Sequence, residues 1–186
     1  MQIKKLNSVE ILSFNANNEE KKQHNENDDK DYDEKEHKLK WKMLSNMKYA
    51  RYNASSILFE NEGQDNIMVM GGWNGEDALL SCELFNIRNN KWTTIKNMNV
   101  KRNGHGSTYW YENEGSIIVV GGYNDQSHFS VEQYDFHKNE WKQLPNTNNT
   151  HRHYPCVSIQ HDSFIKSNSC VIFVVGDNTR PTDAPL

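Results

Sequence analysis

The chain has 186 residues, enough for one domain of ordinary size, and only 35% of them are hydrophobic. Residues 15–38 carry nine acidic and five basic side chains, so the net charge of this segment, −4, equals that of the whole chain. The neutral remainder offers no basic surface for nucleic acid, and no apolar run approaches the ~20 residues that a membrane helix needs.

Cysteine usage and the first residues of the chain bear on its location. Cys82, Cys156 and Cys170 are odd in number and lack a metal-binding spacing, which favours reduced thiols. The first residues lack the long apolar core of a signal peptide. We therefore expect a cytoplasmic protein.

The first predicted strand contains Glu10, in the sequence SVEIL, and the second begins at Trp41. Glu10 precedes Trp41 by 31 residues, whereas Glu83 precedes Trp92 by nine. The surplus of 22 residues is close to the length of segment 15–38, whose composition predicts disorder. We interpret this segment as an insertion within a repeat. The favoured interpretation is a solvated segment without a binding role, and the alternative is a tether for a basic partner.

Two complete copies of one pattern follow along the chain. Each copy is predicted to contain four short strands, A to D. Strand A follows an arginine, B is an apolar run that ends in glycine, C contains Ser-x-Glu, and D begins at a tryptophan. Trp41, Trp92 and Trp141 are spaced by 51 and 49 residues, which gives the period of the repeat. Strands A and B of a further copy follow, in CVSI and VIFVVG.

Four consecutive strands joined by short turns predict an antiparallel meander, and such sheets repeated at this period predict a β-propeller. We therefore expect an all-β fold, a partial propeller of about three four-stranded antiparallel blades. The predicted units are a half blade of strands C and D at 1–14 and 39–47, interrupted by 15–38; complete repeats at 48–98 and 99–147; and a half blade of strands A and B at 148–186.

The repeated pattern resembles the kelch repeat. In one copy, Arg, His-Gly, an apolar strand, Gly-Gly, Ser-Val-Glu-x-Tyr-Asp and Trp-x-x-Leu occur in this order. We expect the glycines to adopt positive φ, the tryptophan to cover the glycine site between adjacent sheets, and the buried glutamate to pair with the arginine. The signature residues, which we interpret as structural, are Arg51, Gly71, Gly72, Glu83, Trp92, Arg102, Gly121, Gly122, Glu132 and Trp141.

About three blades are fewer than the ~4–8 of typical propellers. The interpretation that we favour is a fragment of a longer kelch-repeat protein. A second interpretation is a short arc that is unstable by itself. A third is a homodimer, in which two copies close one ring of about six blades and strands C and D of one copy complete strands A and B of the other.

Candidate binding residues lie in the loops that join strand B to strand C. These loops emerge on the same face as the D-to-A connections, which add Tyr49 and the HRHY sequence at 151–154, and propeller loops usually carry binding. Each B-to-C loop offers an aromatic residue, an asparagine and an acid, a combination typical of protein-binding hot spots. The candidates are Trp73, Asn74, Glu76, Asp77, Tyr123, Asn124, Asp125 and His128. Alternatively, Trp73 and Tyr123 pack on the seam between blades.

The resemblance implies a non-catalytic protein-interaction module or scaffold, with an unidentified protein partner and without a cofactor. One alternative is a fragment of an enzyme similar to the kelch-like copper oxidases, and another is a truncated gene product without its own function. A metal site would draw on His151, His153, Cys156 and His161. His105 occupies the His-Gly position of the repeat and is interpreted as structural. We expect neither a metal site nor catalytic residues.

Overall fold

The computed structural model describes residues 10–13, 40–111, 115–127, 129–148, 153–161 and 170–177. Segment 15–38 and His128 lie outside these residues. Within them the fold is all-β, as predicted. The strands are β1 (Glu10–Ser13), β2 (Lys40–Met43), β3 (Ser55–Asn61), β4 (Gln64–Met70), β5 (Cys82–Asn86), β6 (Lys91–Ile95), β7 (Gly106–Trp110), β8 (Ser116–Val120), β9 (Tyr123–Asn124), β10 (Gln126–Ser127), β11 (Val131–Asp135), β12 (Glu140–Leu144), β13 (His153–His161) and β14 (Cys170–Asp177).

Two four-stranded antiparallel sheets form the body of the fold. Blade 1 has the strand order β3-β4-β5-β6, and blade 2 has the order β7-β8-β11-β12. The predicted strands A to D thus lie side by side in chain order. The pair β1–β2 forms the first half-blade, and the pair β13–β14 forms the last half-blade. The short hairpin β9–β10, between strands B and C of blade 2, was not predicted.

The register of the strands repeats from one sheet to the next. Phe85 lies opposite Trp92 in blade 1, and Tyr134 lies opposite Trp141 in blade 2. In the first half-blade Leu12 lies opposite Trp41, so β1–β2 has the same register as strands C and D of a complete blade. The two strands on either side of segment 15–38 are thus paired neighbours, and the interpretation of the segment itself as an insertion stays a prediction.

The blades stack face to face, and β8 is buried on both of its sides. Ile117 and Val119 belong to the apolar cluster shared with blade 1, whereas Ile118 and Val120 belong to the cluster shared with the last half-blade. None of these four side chains is more than 1% exposed. A continuous apolar run is therefore required in this strand, because each buried branched side chain contributes about 1.5–3 kcal/mol.

Trp92 and Trp141 lie at the outer seams between neighbouring sheets, whereas Trp41 is 66% exposed. The indole Nε1 of Trp92 donates to the carbonyl oxygen of Ser45 at 2.8 Å, and that of Trp141 donates to Lys96 at 3.0 Å. Ser45 and Lys96 each lie four residues after the preceding tryptophan of the repeat. Each indole thus joins its own strand D to the connection that leaves the previous strand D.

The double glycines adopt positive φ, as expected, but the tryptophans do not cover them. Gly71 has φ +57°, and a Cβ there would lie 2.8 Å from His105 and 3.0 Å from the side chain of Met98. Gly122 has φ +98°, and a Cβ added there would lie 2.9 Å from the Cβ of His105. The expectation of tryptophan cover was wrong, because the entry to strand A of blade 2 fills this space.

Candidate protein-binding face

The D-to-A connection before blade 1 is held by a buried arginine. The guanidinium of Arg51 donates to the carbonyl oxygens of Gly71 at 2.6 Å and Ser81 at 2.9 Å, and to the Glu83 carboxylate at 2.7 Å. The side chains of Arg51 and Glu83 are 1% and 0% exposed. A charged pair this deeply buried needs partners for its remaining hydrogen-bonding atoms, and among the described residues the Nε of Arg51 has none.

Blade 2 repeats this arrangement. Arg102 donates to the carbonyl oxygens of Gly121 at 2.6 Å and Ser130 at 3.0 Å, and to the Glu132 carboxylate at 3.0 Å. Both charged side chains are fully buried. The pairing of the recurring arginine with the recurring glutamate, expected from the sequence, is confirmed at both positions.

The glutamates also bind the backbone of the connection that precedes their blade. Glu83 accepts the backbone N–H groups of Lys48 at 2.7 Å and Tyr49 at 3.2 Å, and Glu132 accepts that of Asn99 at 2.8 Å. We call each set, an arginine, its glutamate and these backbone groups, a clamp. Each clamp fixes a D-to-A connection to strand C of the following blade.

His105 is buried between the two clamps. Burial, together with the positive charges of Arg102 and Arg51, lowers the pKa of His105 to about 3. Among the described residues neither ring nitrogen has a hydrogen-bonding partner. His105 is therefore neutral at physiological pH. Its ring lies against Gly71, and its Cβ lies against Gly122. This placement fits the structural role expected for it.

The B-to-C loop of blade 1 is held by its own backbone. Trp73 and Tyr52 exchange backbone hydrogen bonds of 2.8 and 3.1 Å. The Asn74 side chain accepts the backbone N–H groups of Glu76 and Asp77, both at 2.8 Å. Lys101 forms an ion pair with Asp77 and holds the pKa of that carboxyl below its usual range. Four predicted candidates therefore lie together in one ordered turn.

The corresponding loop of blade 2 places Tyr123 where blade 1 has Trp73. Tyr123 and Asn103 exchange backbone hydrogen bonds of 2.9 and 3.0 Å, and the side chain of Asn103 donates to the Tyr123 carbonyl oxygen at 2.8 Å. Asn124 belongs to β9, and Asp125 is exposed at the tip of the hairpin with φ +57°. The two aromatic candidates thus occupy equivalent positions, and both are half-buried.

The D-to-A connections add exposed aromatic side chains to the same face. Tyr49, Tyr52 and Tyr154 are 40%, 38% and 64% exposed. The Asn53 side chain donates to the Tyr154 hydroxyl at 3.0 Å, which links blade 1 to the last half-blade. Tyr52 was not among the predicted candidates, although its position directly after Arg51 could have indicated it.

We call the surface formed by the B-to-C loops and the D-to-A connections the loop face. Backbone bonds between Tyr52 and Trp73 and between Asn103 and Tyr123 join the two kinds of segment into one surface. On the opposite face Tyr111 is 80% exposed and packs edge-on against Tyr109 at 4.9 Å. The chain therefore offers exposed aromatic side chains at both ends of its strands.

The described part of the chain holds no candidate metal centre. Among these residues no three His, Cys, Asp or Glu side chains lie close enough together to hold a metal ion. Of the residues considered for a metal site, Cys156 is exposed, and His151 lies outside the described residues. Within the described ranges no helix could span a membrane.

Comparisons with known proteins agree with the repeat. Residues 63–99 and 113–148 match the family model of the Kelch motif. The chain is 29% identical over 114 residues to the Kelch repeat-containing protein kel-10 of Caenorhabditis elegans, and 29% identical over 112 residues to the Kelch-like protein 15 of Homo sapiens. These alignments cover 60% and 55% of this chain, but only 19% and 17% of the relatives.

A solved structure, that of YjhT, has the same fold over part of its length. The TM-score is 0.53 at 16% sequence identity, and the match covers 64% of this chain and 45% of that one. The stacked four-stranded sheets and their clamps thus define an all-β repeat protein. More particularly, the chain contains kelch motif repeats and is distantly homologous to kelch-repeat proteins over part of its length.

Proposed function

We propose that the chain is a non-catalytic protein-interaction module whose loop face binds a partner protein. The observation that carries this proposal is the exposure of Tyr49, Tyr52 and Tyr154 beside the half-buried Trp73 and Tyr123. Aromatic side chains on a rigid surface lose little conformational entropy on binding, so they commonly supply most of the binding energy at protein interfaces.

The charges on this face support a protein partner. Lys101 forms an ion pair with Asp77. The loop face also includes Lys48, Glu76 and Asp125, so both signs of charge are present. A rim that carries both positive and negative charges around aromatic side chains is typical of protein interfaces, whereas binding of nucleic acid requires a predominantly positive surface. The same proposal includes a reducing, cytoplasmic location, supported by the free thiols of Cys82 and Cys156.

The experiment compares the two opposite faces of one protein. The immobilised chain is incubated with cell extract, and the proteins that it retains are identified by mass spectrometry. The test variant carries Trp73→Ala and Tyr123→Ala, and the control carries Tyr111→Ala on the opposite face. Both test residues are fixed by backbone hydrogen bonds that alanine keeps, so we expect the variant to fold.

The expected result is a protein retained stoichiometrically by the parent and control chains, with at least about tenfold weaker retention by the test variant. Circular dichroism and the thermal midpoint must match those of the parent. Loss of the fold in the test variant would instead show that these aromatics pack on the seam. Equal retention by all three chains would place binding elsewhere.

A further inference from the structure

The chain contains two Asn-Gly sequences, and both lie on the loop face. They are Asn74-Gly75, in the B-to-C loop of blade 1, and Asn103-Gly104, in the connection that leads into strand A of blade 2. In such a sequence the backbone nitrogen of the glycine can attack the side-chain amide carbon of the asparagine, because glycine has no side chain to hinder the approach. The two sites share this local chemistry, so their surroundings decide whether each one reacts.

The side chain of Asn74 is held so that its amide carbonyl group is polarised. Its Oδ1 accepts the backbone N–H groups of Glu76 and Asp77, both at 2.8 Å. Attack on the amide carbon places negative charge on this oxygen, and N–H donors at such distances stabilise a developing oxyanion. The turn around Asn74 therefore provides the electrostatic arrangement that the attack requires.

The attacking group, the backbone nitrogen of Gly75, is accessible. Gly75 is exposed and has φ +97°, a conformation that residues with a Cβ rarely adopt. Among the described residues the Gly75 N–H has no hydrogen-bonding partner. The turn is closed instead by the Asn74 N–H, which donates to the Asp77 carbonyl oxygen at 3.1 Å. The attack therefore breaks no hydrogen bond of Gly75.

Asn103-Gly104 has the opposite surroundings. Asn103 is 8% exposed, and its side-chain amide donates to the Tyr123 carbonyl oxygen at 2.8 Å. The Gly104 N–H, which would have to supply the attacking nitrogen, donates to the Asn53 carbonyl oxygen at 2.8 Å. A Cβ added at Gly104 would lie 2.9 Å from the ring of Tyr154, so this site is also closely packed. Reaction at Asn103 therefore requires two hydrogen bonds to open first.

We propose that Asn74 is a site of spontaneous deamidation in the folded protein and that the fold protects Asn103 from the same reaction. The proposal goes beyond the proposed function and does not depend on it, because the modification is measured on the chain alone. It rests on the polarised amide of Asn74 and the unbonded N–H of Gly75, both of which Asn103-Gly104 lacks or has blocked by hydrogen bonds.

The reaction balances with water as its only co-reactant. The Gly75 nitrogen forms a bond to the side-chain carbon of Asn74 and loses its proton to solvent. The bond from that carbon to the side-chain nitrogen then breaks, and ammonia leaves with a proton taken from solvent. Water opens the resulting succinimide at either carbonyl carbon. Cleavage at the side-chain carbon gives aspartate at position 74, and cleavage at the backbone carbon gives isoaspartate, with no oxidation or reduction.

Both products change the loop that carries the candidate binding residues. Each adds a negative charge to the turn that already contains Glu76 and Asp77, whose partner is Lys101. Isoaspartate also lengthens the main chain by a methylene group, within a turn that the hydrogen bond between Asn74 and Asp77 closes. Deamidation therefore alters both the charge and the backbone of the loop face beside Trp73.

Peptide mapping by mass spectrometry measures the reaction at both asparagines in one sample. The full chain is incubated near neutral pH, once folded in buffer and once unfolded in urea. Samples taken over time are digested under mildly acidic conditions, which suppress further conversion. Deamidation adds about 1 Da to the peptide that contains the reacting asparagine, and fragment ions distinguish isoaspartate from aspartate. The rate in urea is the intrinsic reference for each site.

In the folded chain Asn74 should convert at least as fast as it does in urea. Asn103 should convert about thirtyfold more slowly than in urea, the factor expected when two hydrogen bonds must open before reaction. A folded chain in which Asn74 converts more slowly than in urea would overturn the proposal. Equal rates at Asn74 and Asn103 in the folded chain would overturn it as well.

Asn74→Gln is the matched variant for assigning the reaction to one residue. A glutamine side chain would have to close a larger ring, so conversion at position 74 should be lost. The slow conversion of Asn103 should stay as in the parent chain, because Asn103 and its hydrogen-bonding partners lie outside this turn. Fast gain of mass in the same peptide of the variant would show that another residue reacts and would refute the assignment to Asn74.

Discussion

Lowering the pH should destabilise the fold through His105. The pKa of His105 is lowered to about 3 by burial and by the charges of Arg102 and Arg51, whereas the ordinary value is 6.5. Because the folded-state pKa lies below that of the unfolded chain, the unfolded chain binds more protons between these two values. Stability is therefore complete above about pH 6.5 and falls as the pH decreases toward 3.

The size of the effect follows from the same two values. At pH 5.0 the unfolded chain carries a proton on His105 almost completely, and the folded chain does not. Linkage gives a loss of about 2 kcal/mol in the free energy of unfolding between pH 7.5 and 5.0. The figure at pH 5.0 is nearly the same for any folded-state pKa below about 4.

Urea denaturation at the two pH values measures this loss, with His105→Gln as the comparison. All other titratable groups are common to both proteins, so the difference between their pH dependences isolates His105. We expect the parent chain to lose about 2 kcal/mol more than the variant, whatever the variant's stability at pH 7.5. Equal pH dependences would refute the reasoning, because they would require a protonated or solvated imidazole in the folded state.

Three further predictions concern the clamps, the glycines and the thiols. Glu132→Gln should lower the free energy of unfolding in urea by about 3–5 kcal/mol, because Arg102 keeps a buried charge without its partner. Asp77→Asn, which removes an exposed ion pair, should leave the urea midpoint unchanged. Equal shifts of the urea midpoint in the two variants would contradict the importance of burial. Gly122→Ala should lower the thermal midpoint more than Gly63→Ala does. Both glycines have positive φ, but of these two only Gly122 has other atoms within 4 Å of an added Cβ. Equal midpoints in the two variants would argue against the close approach of His105 to Gly122. Mass spectrometry after thiol labelling should find Cys156 modified in the native protein and Cys82 modified only after unfolding. The reason is that Cys82 is buried, which raises its pKa to about 12. Equal labelling rates of the two thiols would show that solvent reaches Cys82 in the folded protein.

The spacing of a few residues was sufficient to predict the order of the strands. The repeated spacing of Glu, Trp and Gly-Gly predicted the four-stranded unit, because local physical requirements favour these residue types at strand ends or between neighbouring sheets. The pairing of Arg51 with Glu83 also followed from the sequence, since a buried carboxylate needs a charged or hydrogen-bonded partner.

Contacts between repeats were harder to predict. The filling of the Gly71 site by His105, instead of a tryptophan, depends on how far one sheet is displaced against the next, and no local pattern records this. The hydrogen bond from Asn53 to Tyr154 joins residues 101 positions apart. Tyr52 consequently became a candidate for the loop face only once the sheets were placed side by side.

The clamps have a consequence for how the loop face can change during evolution. Glu83 and Glu132 hold the D-to-A connections through backbone N–H groups, which nearly every amino acid supplies. The side chains of Lys48 and Tyr49 can therefore vary without loss of these bonds, whereas Asn99 also donates its side-chain amide to the Trp141 carbonyl oxygen at 3.1 Å. Selection can alter the surface chemistry of this face at little cost in stability, so chains with the same clamps can differ widely in the chemistry that they present there.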